Sequence, residues 1–244
     1  MTASQILASL AAVEGERQQR RQDSAWVAAV TQVKDYQHRR FAQTYADLLD
    51  QPRYAGAARF FLDDIYGPKD FSDRDAQFAR VVPALVRLFP RDTVQTIVNL
   101  GELHALSERL DSAMGRRVKG AAVDRWTYAS AWKAVGEVEA RERQIQLLVA
   151  VGSALDHLTG KRLLRQTLHL MRGPANAAGL GQLQQFLERG FDTFKAMAGA
   201  SDFLQMVGER ERRLAASLFA APDPLQQGAD SDTPASRVLD AWLP

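Results

Sequence analysis

The chain has 244 residues, 46% hydrophobic and 25% charged, the make-up of a globular protein rather than of a disordered chain or a fibre. With 31 basic and 29 acidic residues the net charge is +2, a weak field for a nucleic-acid binder, which carries a basic patch or stripe. There is no Cys, which excludes disulfides, cysteine-ligated zinc, iron–sulfur clusters and thiol catalysis.

Apolar residues recur at helical spacing almost throughout. Ile6, Leu10 and Val13 form a first stripe, on a segment without the basic start and small-residue cleavage site of a signal peptide. Trp26, Val30, Val33, Phe41, Tyr45 and Leu48 form a longer one, ended by Gln51-Pro52. Ala55 to Ile65 reads as a short helix stopped by Gly67-Pro68. Ser72 is placed as the next N-cap, with Asp75 three residues on as a capping-box analogue. That helix carries Phe78, Val82, Leu85 and Phe89, and Pro83 should kink or break it.

Asp92 is placed as the cap of a helix lined by Ile97, Leu100, Leu103, Leu110 and Met114, although Thr93 to Val98 is β-branched enough to rival it as a strand. Gly115 and Gly120 bracket a basic turn. Val123 to Leu158 is one helix or two, divided near Gly136. Lys161 to Met171 reads as a basic helix ended by Gly173-Pro174. Leu180 to Phe194 and Phe203 to Leu218 carry the last long stripes. The expected fold is therefore all-α, a single compact multi-helix bundle over residues 1–220. Residues 221–244 are expected as a flexible tail, rich in Pro, Asp, Ser and Gly between Pro222 and Pro234, with Trp242 and Leu243 free to dock back or to meet a partner.

The densest local signal is FFLDDIYGPKDFSDRD, residues 60–75, with four aromatics and five acids around a Gly-Pro break. One reading is a structural corner. Phe61, Ile65 and Phe71 would plug the core, and Arg59–Asp63 and Asp70–Arg74 would pair at i,i+4. The other is a binding corner in which Asp64, Tyr66 and Arg74 meet a ligand or partner. This string and the later MRGPANAAGLGQLQQFLERGF resemble an uncharacterised family of bacterial helical proteins. The resemblance covers most of the chain, implies a bacterial cytosolic protein, and carries over no activity and no catalytic residue.

The four His, at 38, 104, 157 and 169, build no Glu-x-x-His motif and no His-Glu-x-x-His motif. His104 borders an apolar face and reads as a satisfied, half-buried side chain. There is no Gly-x-Ser-x-Gly elbow, no Walker loop and no dinucleotide-binding glycine fingerprint. Arg162, Arg165, His169 and Arg172 share the basic helix. They read as a solvated face or as an anion contact, with Arg172 kept as a candidate binding residue. Trp126 and Trp132, six residues apart, should point to opposite sides of one helix.

The functional expectation is a non-catalytic, cytoplasmic helical binding or scaffolding protein. A small-ligand or haem-binding bundle and an enzyme using Asp, Tyr and Arg side chains are the alternatives. The expected partner is a protein or a second copy of the chain, with a small ligand as the other possibility. No cofactor, metal, nucleic acid or membrane is expected.

Overall fold

The apolar stripes become helices. The computed structural model describes residues 2–65, 67, 69–221 and 233–244. Among the described residues there are twelve α-helices, one π-helical turn and no strand. In chain order they are α1 (Thr2–Arg21), α2 (Ser24–Thr44), α3 (Ala46–Asp50), α4 (Ala55–Phe60), the π turn (Phe61–Ile65), α5 (Ser72–Leu88), α6 (Arg91–Val118), α7 (Arg125–Val135), α8 (Val138–Thr159), α9 (Arg162–Ala177), α10 (Gly181–Met197), α11 (Ser201–Ala220) and α12 (Pro234–Trp242).

The 28 residues of α6 make a spine about 42 Å long. Packed against it are α1, α2, α5, α7 and α8. One apolar cluster joins Phe41, Tyr45, Phe60, Phe61, Phe194 and Phe203. A second joins Val33, Tyr36, Met114, Tyr128, Leu214 and Leu218. A smaller one, around Ile6, Leu10, Val82 and Val98, seats α5 on α1 and α6. The rival strand at Thr93–Val98 is helical, because its Val94 and Val98 continue the buried stripe of α6.

Several helix ends lie elsewhere than the local signals predict. Ser72 is the first residue of α5 and does not cap it. The Asp70 carboxylate takes that part, accepting from the Ser72 N–H at 2.9 Å and from its hydroxyl at 2.6 Å. Asp92 lies inside the first turn of α6, after Pro90, where it accepts from the Thr93 N–H. Gly115 opens no turn. The helix runs on to Val118, and the missing Cβ lets Val30 of α2 lie directly against the α6 backbone. Pro83 and Pro174 both sit within helices that continue past them. Val123–Leu158 does divide near Gly136. Gly136 and Glu137 both have positive φ, 68° and 59°, and this pair breaks the helix between α7 and α8, both of which pack along α6.

Of the expected tail, residues 222–232 lie outside the described residues. Residues 233–244 dock back. Thr233 caps α12, Leu239 and Leu243 are buried in the second cluster, and Trp242 packs at its edge. The Tyr36 hydroxyl donates to the Pro244 carbonyl, and the Gln43 amide donates to the carbonyls of Ala241 and Leu243. No helix among the described residues is long and apolar enough to cross a membrane.

Candidate functional site

Residues 60–75 form a corner built around the π turn. Its wider winding carries Phe61 into the core, where it lies edge-on to Phe203 with ring centroids 5.6 Å apart. It also buries the Asp64 side chain. Asp64 pairs with Arg189 of α10 at 2.7 Å. Burial pushes its carboxyl up, and the Arg189 charge opposes that shift. Arg74 donates to the Asp64 carbonyl at 3.0 Å. Its guanidinium lies over Phe71, at 4.0 Å, and over Phe186, at 4.7 Å. Tyr66, the third candidate of the corner, lies outside the described residues. The structure therefore brings Asp64 and Arg74 together, as a joint between the π turn, α5 and α10. The expected i,i+4 pairs do not form: Asp63 faces His38 of α2, and Asp70 turns to Ser72, two residues on.

Arg74 leads inward to a buried charge network that the local motifs did not reveal. Asp75 holds His104 of α6 at 2.8 Å, Arg17 of α1 at 2.9 Å and Arg74 at 3.6 Å. Burial pushes the Asp75 carboxyl up. The bond from His104 and the charges of His104, Arg74 and Arg17 outweigh burial and hold the carboxyl below the ordinary carboxylate range. One turn further along α6, Glu108 accepts from Arg20 through one oxygen and from Lys34, at 2.9 Å, through the other. Burial opposes its charge too, yet Lys34 and Arg20 bring the carboxyl down to about 2. Arg20 also donates to the Ser112 hydroxyl at 2.6 Å. His104, Glu108 and Ser112 recur at i, i+4 and i+8. That polar stripe beside the apolar face of α6 was the available sequence signal, and it reads as a solvated face until the partner helices are known.

A second polar layer lies deeper. Arg40 pairs with Glu211, which also accepts from the Tyr45 hydroxyl at 2.7 Å. Gln37 donates to Asp111 at 3.0 Å, and burial raises the Asp111 carboxyl. Arg141 is 3% exposed, and its guanidinium stacks 3.7 Å above the Trp132 ring. Its Nε and Nη2 have no hydrogen-bond partner. Burial lowers its pKa.

Arg172 lies away from both layers. It forms part of a groove of about 650 Å³ between α9 and α10, lined by Leu168, Leu170 and Phe191 among others. Arg172 reaches Glu188 at 2.8 Å and Arg165 reaches Asp192 at 3.0 Å, so two ion pairs bridge the helices across the groove. Leu170 is 76% exposed and Met171 48%. Pro174 has no N–H to offer the Leu170 carbonyl, so the α9 ladder lacks one bond beside these two side chains. Ser130-Ala131-Trp132-Lys133 has the spacing of a Ser-x-x-Lys nucleophile motif. Both residues lie exposed on α7, and the Lys133 ammonium is engaged elsewhere, donating to the Ala221 carbonyl at 3.1 Å. Among the described residues, no three His, Asp or Glu side chains come together in a group that could hold a metal ion.

The family model described as Domain of unknown function (DUF8198) matches residues 16–224, from the end of α1 to beyond α11. The chain belongs to this family. No curated protein and no solved structure matches it. For this DUF8198 chain the polar side chains above must speak through their geometry. His104 is half-buried and bonded to Asp75, as its place beside an apolar face suggested. The network ties α1, α2, α5 and α6 together, and the groove is where apolar side chains face outward.

Proposed function

We propose that this protein is a non-catalytic helical binding protein of the bacterial cytoplasm, with the α9–α10 face as its contact surface. The observation that carries the reading is the exposure of Leu170, which lines the groove between α9 and α10, and of its neighbour Met171. Exposed apolar side chains grouped at a groove mark interaction surfaces, whereas single ones do not. Support also comes from the interior, where Asp64, Arg74, Asp75, His104 and Glu108 are engaged with one another across helices. Those pairings hold the scaffold that presents α9. A photo-crosslinking amino acid placed at Leu170 in cells tests the reading, with Leu88, also exposed but on α5, as the control position. The expected result is a discrete adduct from position 170 and none from position 88. Equal labelling from both positions, or none from either, overturns it.

A further inference from the structure

We propose that the face formed by α2, α7 and α11 is a docking groove for an amphipathic helix of a partner protein, and that α12 of this chain stands in for that helix. The groove involves neither α9 nor α10 and is independent of the contact surface proposed there.

The docked α12 shows what the groove accepts. Its anchors are Leu239 and Leu243, four residues apart and therefore on one face. Both are buried, in one cluster with Tyr36 of α2, Trp132 of α7 and Leu218 of α11. Arg237, Asp240 and Ala241 stay exposed on the outer side. The occupant is thus an amphipathic segment lying on the bundle.

The polar contacts gather at one end of it. The last carbonyls of a helix have no partner within the helix. Here α2 answers them from one face, with Tyr36 and Gln43 seven residues, two turns, apart. The Gln43 amide donates to the Ala241 and Leu243 carbonyls at 3.1 and 3.2 Å, and the Tyr36 hydroxyl donates to the Pro244 carbonyl at 3.3 Å. Arg125 of α7 pairs with Asp240. The leucines give the contact its apolar grip, and the carbonyl bonds and the ion pair fix the direction in which the helix lies.

Two observations set α12 apart from the body it covers. Tyr36, Gln43, Arg125, Trp132 and Leu218 all fall inside residues 16–224, the stretch matched by the DUF8198 model, and α12 falls outside it. The groove belongs to the family module, and its cover is an addition. The nine residues of α12 are also too few to hold a helix unaided, so α12 is helical because it is docked. A short helix retained by two leucines and a few surface bonds opens without unfolding the bundle. A partner helix fits the place it leaves if it has leucines at i and i+4, an acid directly after the first, and free carbonyls at its C-terminal end.

Fluorescence anisotropy of a labelled peptide of residues 233–244, titrated with the full chain, tests this. Leu239→Asp/Leu243→Asp in the full chain releases its own α12, and this double variant should bind the peptide. The wild type should bind it at least about ten-fold more weakly, because its own α12 competes from within the same chain. Adding Gln43→Ala to the double variant should weaken binding about five-fold, through the lost carbonyl bonds. A peptide carrying the same two Asp should not bind. No binding to a double variant that keeps the circular dichroism spectrum of the bundle, or equal binding by both chains, overturns the proposal. Hydrogen exchange of the wild type decides the matter even where the double variant does not fold. The α12 amides should exchange at least about ten-fold faster than those of α11, and one common rate for both helices overturns the proposal. A wild-type dimer in sedimentation equilibrium that the double variant abolishes makes a second copy the occupant and overturns the separate partner.

Discussion

Glu108→Gln isolates the buried charge network. The wild-type carboxylate is 3% exposed and faces Arg20, Lys34 and Arg17. Its pKa falls from the ordinary 4.5 to about 2, which corresponds to about 3 kcal/mol of pH-dependent stability, at about 1.36 kcal/mol per unit. Because the folded value lies below the unfolded one, that stability is present above pH 4.5 and is lost as the pH falls toward 2. Glutamine keeps the shape and removes the charge, leaving Arg20 and Lys34 beside a neutral amide. Breaking a buried pair in this way costs about 3–5 kcal/mol. Urea unfolding followed by circular dichroism, at pH steps from 7 to 2.5, measures both effects. The variant should be less stable by that amount at pH 7, and the gap should narrow below pH 4.5 as the wild-type carboxyl takes up its proton. A gap that is absent at pH 7, or one that stays constant down to pH 2.5, refutes the argument.

Arg141→Met should leave stability equal or higher, because it replaces a buried cation that has two unpartnered nitrogens with an apolar side chain of similar length. A loss above about 2 kcal/mol in the same urea assay would show that the Arg141 charge is compensated in the folded state. Phe61→Ala should cost about 3–5 kcal/mol, since the ring is 1% exposed and packs on Phe194 and Phe203. Asp64→Asn should cost far less in thermal melts, because the Arg74 bond goes to the Asp64 backbone carbonyl and survives; a comparable loss from both variants would count against the corner as described.

The sequence by itself determined the helices and most of the core. Helical periodicity is a local property, so the stripes from Ile6 to Leu218 mark their buried faces without knowledge of what covers them. The corner at Phe60–Asp75 was legible for the same reason, since crowded aromatics and a Gly-Pro break are local signals. What only the tertiary structure decided is where the polar side chains went. Arg20 meets Glu108 across 88 residues of chain, and Arg40 meets Glu211 across 171. Asp75, placed as a cap by its neighbours, is used by His104 and Arg17 instead. Gly115 reads locally as a turn and acts as a contact point for Val30, and of the two roles open to Leu243, docking back or meeting a partner, the fold realises the first. The physical reason is common to all of these. A charge, a missing Cβ or a terminal apolar side chain gains its role from whatever packs against it, and that partner is set by the three-dimensional fold and not by its neighbours in sequence.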